Sequence, residues 1–192
     1  MPEFRTMELE GVQEILPERF SDERGFFSET YNARAFAEAG IAVEFVQDNH
    51  SLSSVPGTVR GLHFQKPPFA QDKLVRVVRG AILDVAVDIR AGSPTFGRWV
   101  GVELSSRKWN QLFIPTGYAH GFMTLEPDTE VVYKVSAFYF REHDQAIRFD
   151  DPAIGIAWPK EIKPLLSGKD RAAPDLAEVE TGIAAMEEFE SI

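Results

Sequence analysis

The chain has 192 residues, with 20 Lys and Arg against 30 Asp and Glu, four His and no Cys, for a formal net charge of -10. One substantial core and one domain fit that length, since domains commonly run to roughly 100 to 200 residues. The lack of Cys excludes a disulfide scaffold, a thiolate metal site and a cysteine nucleophile. The acidic balance argues against a nucleic-acid duplex or a phospholipid surface as main partner, because both need a basic face. A small anionic ligand stays compatible if a few Arg and Lys cluster. No apolar run approaches the roughly 20 residues of a membrane span. The start, Met1-Pro2-Glu3-Phe4-Arg5, lacks the basic and then apolar segments of a secretion signal, so the expectation is a soluble, cytoplasmic protein.

Short apolar runs punctuated by Gly and Pro at intervals of roughly 8 to 12 residues predict an all-β sandwich or barrel. In chain order, the first strand is expected over Phe26 to Tyr31. A short helix follows over Ala33 to Ala39, with Asn32 as its cap and Gly40 as its stop. Strands are then expected over Val43 to Asn49 and Thr58 to Gln65. Val75 and Val77, then Leu83, Val85, Val87 and Ile89, alternate with polar or small residues around the turn Arg79-Gly80 and predict a pair of strands. Trp99 to Leu104, Gln111 to Ile114, Tyr118 to Leu125 and Glu130 to Tyr139 complete the set. After Pro174, Leu176, Val179, Ile183 and Met186 recur at three- and four-residue steps, which predicts an amphipathic helix. The expected organisation is therefore a β domain over residues 1–174 and an acidic helical tail over 175–192.

Two segments concentrate polar groups where strands want apolar ones. In Gly57 through Gln65, followed by Gln71-Asp72-Lys73, the residues Arg60, His63, Gln65 and Lys73 must find partners or line a cavity. Strict alternation sends His63 and Gln65 to one face and Arg60 to the other. Joint use of all three needs a bulge, for which Gly61 is well placed; without one, Arg60 is a surface or interface residue. The second segment is Ile114 through Phe122, where Pro115-x-Gly117-x-x-His120 sets a turn feeding a strand.

Together these segments resemble the paired motifs of the cupin superfamily, a mainly β, double-stranded β-helix or jelly roll. Metal-dependent cupins usually supply a His-x-His pair, a Glu and a second-motif His. Here Gln65 stands in place of the second His and Lys66 to Asp72 holds no Glu, so no metal site is expected.

A closer resemblance comes from Arg24-Gly25-Phe26-Phe27-Ser28-Glu29, Gln47-Asp48-Asn49-His50-Ser51, Arg60-Gly61-Leu62-His63, Lys73-Leu74-Val75, Pro115 through Phe122, Tyr133-Lys134 and Ser167-Gly168-Lys169-Asp170. These motifs, in this order over roughly Gly11 to Pro174, resemble the dTDP-4-dehydrorhamnose 3,5-epimerase family. The resemblance implies a dTDP-linked 4-keto-6-deoxyhexose as substrate, no cofactor, and a homodimer. It implies His63 as base, Asp170 as its orienting partner, Tyr133 as acid on the opposite face and Lys73 as the stabiliser of an enolate oxygen. Arg24, Glu29, Gln47, Asp48, Asn49, Arg60, His120 and Lys169 would contact sugar, diphosphate or base. Of these, Arg24, Arg60 and Lys169 suit the phosphates. Asp144 stands where the family often has Glu and is one methylene shorter. Phe27 and Tyr139 either pack on thymine or sugar or belong to the core.

Taken singly, Tyr133 could be a packing residue, Lys73 a surface side chain with an apolar stem, and Asp170 a helix or turn cap. Three alternatives to 3,5-epimerisation follow from the same scaffold. They are an epimerase acting at C3 or C5 alone, a silent sugar-nucleotide-binding cupin, and a metal-dependent cupin oxygenase or isomerase.

Overall fold

The computed structural model describes residues 1–185. Its strands are β1 (Glu3–Thr6), β2 (Gln13–Leu16), β3 (Phe20–Asp22), β4 (Gly25–Phe27), β5 (Gln47–Ser53), β6 (Val59–Gln65), β7 (Lys73–Arg79), β8 (Ala81–Asp88), β9 (Trp99–Ser105), β10 (Gln111–Ile114), β11 (Tyr118–Thr124), β12 (Thr129–Val135) and β13 (Asp144–Ala146). Two short helices, α1 (Ala33–Glu38) and α2 (Gly168–Arg171), accompany them.

The fold is the expected jelly roll. A six-stranded sheet, β1-β2-β10-β7-β12-β5, faces a five-stranded sheet, β13-β6-β11-β8-β9, and every named pairing is antiparallel. Alternation drives the packing: Val75, Leu112 and Val131 from the first sheet meet Ile82, Ala86, Val100 and Phe122 from the second in one buried cluster. α1 forms as the sequence predicts, its Asn32 Oδ1 accepting from the Arg34 and Ala35 amides at 3.1 and 3.3 Å. The helix buries Phe36 against Ile15, Leu74 and Phe113 on the outer face of the six-stranded sheet.

Several boundaries differ from the expectation, each for a visible reason. Val43 and Phe45 pack beside α1 instead of entering the ladder, so β5 starts at Gln47. The run expected from Glu130 to Tyr139 ends as a strand at Val135. Beyond it, side-chain amides replace the ladder: Gln71 Nε2 donates to the Ala137 carbonyl, Gln65 Nε2 to Phe138, and Gln65 Oε1 accepts from the Phe140 amide. The strand expected over Phe26 to Tyr31 stops at Phe27 and pairs with β3 in a separate hairpin, on which Phe20, Phe26 and Phe27 are exposed. The short, mixed strands β1, β2, β3 and β13 carry no clear alternation and were not expected.

The helix expected after Pro174 is not formed over 176–185. A single 3-10 turn (Leu176–Glu178) is followed by extended chain that bridges Ala91 in parallel at Ala184. Asp151 Oδ2 accepts from the Leu176 amide at 2.7 Å, and Leu176, Val179 and Ile183 lie over Leu62, Phe64, Val87 and Ile89. The apolar spacing is used by a strap laid along the sheet, and Gly182, at φ 68°, interrupts any helix. Met186, the fourth residue of the proposed helical face, lies outside the described residues.

Candidate active site

The site grows from β6. Its register against β11 shifts between His63↔His120 and Arg60↔Phe122, so two residues, Gly61 and Leu62, stand against Gly121 alone. Gly61 holds φ at 134°, a conformation for glycine, and a Cβ there would sit 2.8 Å from the His120 carbonyl oxygen and closer still to Gly121 Cα. The bulge that joint use of Arg60, His63 and Gln65 requires is therefore present, and all three line one cavity of about 660 Å³ between the sheets.

Within that cavity, His63 Nε2 donates to Asp170 Oδ1 at 2.5 Å. Asp170 sits in α2, where Ser167 caps the helix through the Asp170 amide and donates its hydroxyl to Asp170 Oδ2 at 2.8 Å. Burial pushes the Asp170 carboxyl up, but the hydrogen bond from His63, its charge, Ser167 and Lys169 outweigh that and hold it below the usual range. A carboxylate can only accept, so the proton of a neutral His63 lies on Nε2 and Nδ1 keeps the lone pair.

The opposite sheet supplies Tyr133 from β12 and Lys73 from β7, adjacent strands in which Tyr133 pairs Val75 and Val135 pairs Lys73. Burial raises the Tyr133 phenol above its ordinary value, with Asp144 adding and Arg60 opposing. Lys73 is 7% exposed and its ammonium donates to the His63 carbonyl at 3.3 Å. Burial brings its pKa down to about 8 against the opposing charges of Asp84 and Asp144.

Gln47, Asn49, His120, Asp144 and Lys169 line the same cavity. At the rim, Asp144 Oδ2 accepts from Lys169 Nζ at 2.5 Å and from the Tyr139 hydroxyl at 3.1 Å. Three residues expected at the site are elsewhere in this chain. Alternation along β5 turns Gln47 and Asn49 inward and Asp48 outward, where it pairs with Lys134 at 2.9 Å. Arg24 lies on the β3–β4 hairpin, 85% exposed and paired with Asp22. Glu29 accepts from Asn32 Nδ2 at 3.0 Å beside α1.

Gln65, at the position where metal-binding cupins carry a second His, has its amide engaged by the backbone of Phe69, Phe138 and Phe140. It braces the loops over the cavity. The sequence reading missed Ser167 and Asp84 as site residues. Asp84 carried a signal, a lone carboxylate in the apolar strand Ile82 to Val87, which had to find a buried partner. That partner is His120, whose Nε2 lies 2.7 Å from Asp84 Oδ1.

Among the described residues no helix is long and apolar enough to cross a membrane. The family model described as dTDP-4-dehydrorhamnose 3,5-epimerase matches residues 6–178. A dTDP-4-dehydrorhamnose 3,5-epimerase of Sinorhizobium fredii is 53% identical over 176 residues, covering 92% of this chain and 90% of the relative. Among solved structures, the dTDP-6-deoxy-D-glucose-3,5-epimerase of Legionella pneumophila, in complex with dTDP-4-keto-L-rhamnose, superposes with a TM-score of 0.93. It is 41% identical, with 97% of this chain and 100% of that chain covered. The dTDP-4-dehydrorhamnose 3,5-epimerase of Bacillus anthracis, solved with TDP and PPi bound, gives a TM-score of 0.88 at 45% identity, covering 91% and 99%. With the family model matching residues 6–178 and a relative 53% identical over 92% of the chain, the chain belongs to the dTDP-4-dehydrorhamnose 3,5-epimerase family.

Proposed function

We propose that the cavity epimerises C3 and C5 of a dTDP-linked 4-keto-6-deoxyhexose, with His63 as base and Tyr133 as acid. The reading rests on one observation: His63 on one sheet, paired with Asp170 of α2, shares a cavity with Tyr133 and Lys73 of the other sheet. The C4 ketone acidifies the hydrogens on both neighbouring carbons. His63 Nδ1 takes a proton from one face, the electron pair moves onto the ketone oxygen, and Tyr133 returns a proton to the carbon from the opposite face. Asp170 holds the tautomer and supports the imidazolium that forms. Lys73 offers its ammonium to the enolate oxygen, a contribution on the order of 10²- to 10³-fold in rate for one well-placed donor. The carbonyl supplies the acidity, so the scheme calls on no cofactor.

Arg60 and Lys169 are suited to the diphosphate, while Gln47, Asn49, His120 and Asp144 offer polar groups to the sugar and base. Arg24 and Glu29 fit this scheme in a homodimer whose exposed β3–β4 hairpin reaches a second copy's cavity. A cytoplasmic location agrees with a nucleotide-linked substrate. Two variants test the roles. His63→Ala should lose about 10²- to 10⁴-fold in turnover together with exchange of C3 and C5 hydrogens into solvent. Tyr133→Phe should lose turnover yet keep exchange, because deprotonation survives. Near-normal turnover in His63→Ala would overturn the assignment.

A further inference from the structure

His120 and Asp84 form a second His–carboxylate pair behind the first. His120 stands directly across the ladder from His63. It is 6% exposed, and its Nε2 hydrogen goes to Asp84 Oδ1. Asp84 is wholly buried on β8, and its Oδ2 has no hydrogen-bond partner among the described residues. A buried carboxylate with one oxygen unsatisfied is costly, and a neutral side chain would fill the same space more cheaply. Alternation sends Asp84 inward with Ile82 and Ala86 on β8 and Lys73 inward with Val75 and Val77 on β7, into the same space between the sheets, and among the described residues the Lys73 ammonium has only the His63 carbonyl as acceptor.

We propose that Asp84 is a positioning residue of this site, a buried countercharge that keeps the Lys73 ammonium charged and in place for the enolate oxygen and orients the His120 ring beside it. The inference rests on the epimerase reading above. The groups around Lys73 are His63 on β6, Asp84 on β8, His120 on β11, Tyr133 on β12, Asp144 on β13 and Lys169 on α2. Asp84 is the largest of the influences that favour its charged form, ahead of Asp144, while Lys169 opposes. His120 is kept from protonation chiefly by its burial, Asp84 notwithstanding. The dyad thereby presents one negative charge to Lys73 without being neutralised by its own imidazole.

The test is Asp84→Asn, which keeps shape and an acceptor but removes the charge. The alkaline limb of the kcat/KM profile, which reports the free enzyme, should move about one pH unit toward acid. With the wild-type limb near 8, the loss of activity grows from about twofold at pH 7 to about tenfold at pH 9. A double-mutant cycle with Lys73→Met, read by thermal unfolding, supplies a second measure. Asp84→Asn should lower Tm when Lys73 is present and lower it much less, or not at all, in the Lys73→Met background. If Asp84→Asn alone does not fold, the double variant should recover. An unmoved limb, additive changes in Tm, or a double variant that stays unfolded would overturn the proposal. An inactive wild-type chain would count against the epimerase reading instead, while the cycle needs no turnover and still tests Asp84.

Discussion

Lys73 ties stability and activity together with opposite signs. Its folded pKa of about 8 lies below the ordinary 10.5. As pH rises through 8 the free site loses the ammonium, so kcat/KM should fall. Between 8 and 10.5 the unfolded chain binds more protons at this residue than the folded one, so the contribution of Lys73 to stability rises with pH over that window. The shift corresponds to about 3 kcal/mol. Urea unfolding of wild type and Lys73→Met at both ends of the window checks this. The stability advantage of Lys73→Met is predicted to shrink by about 3 kcal/mol from pH 7 to 10.5, and a constant gap would contradict it. At this scale the sequence was informative where side chains stood in motifs, as with His63, Tyr133 and Asp170. For Asp84 it carried only half a signal, because a lone buried carboxylate reveals its partner only once β8 and β11 are paired. Asp48 stands outside the cavity that Gln47 and Asn49 line, because adjacent residues of a strand face opposite ways.

The bulge on β6 decides whether Arg60 and His63 can act on one ligand. Gly61→Ala puts a Cβ against the β11 backbone at a φ that alanine rarely adopts. We expect a loss of stability larger than the roughly 1 kcal/mol of an ordinary glycine replacement, and a fall in kcat/KM beyond what the lower folded fraction explains. Thermal unfolding and kinetics on the remaining folded protein measure both, and a fully active, equally stable Gly61→Ala would show that the bulge is dispensable. The bulge was legible because alternation demanded one and glycine marked the place. The strap over 176–185 was not. Its spacing of three and four residues fits a helical face, and only the apolar surface of Leu62, Phe64 and Val87 beneath it draws the chain out straight. The amide braces from Gln47, Gln65 and Gln71 were equally hidden, since they replace a ladder that period-two alternation predicted to continue.

For the molecule as a whole, charge and surface carry the remaining information. Six acids and no bases lie between Ala172 and Ile192, so -6 of the net -10 sits there and -4 on the rest. The cavity gathers Arg60, Lys73 and Lys169 within that acidic envelope, which reconciles an acidic protein with an anionic substrate. The jelly roll was legible from the rhythm of its strands; the exposed β3–β4 hairpin, with three Phe on its surface, was not. A patch of that kind marks an interaction surface. Sedimentation analysis is predicted to give a dimer, and Arg24→Ala to raise KM with little change in kcat. A monomer whose KM ignores Arg24 would remove the second copy from the site.

The proposed reaction is proton exchange at two carbons flanking one ketone. The direct measurement is incubation of the protein with the dTDP-linked 4-keto-6-deoxyglucose in deuterated water, with C3 and C5 read separately by NMR. Deuterium is expected at both positions, with inversion at both. Deuterium at neither would contradict the reaction, and deuterium with inversion at one carbon alone would restrict the enzyme to a single centre.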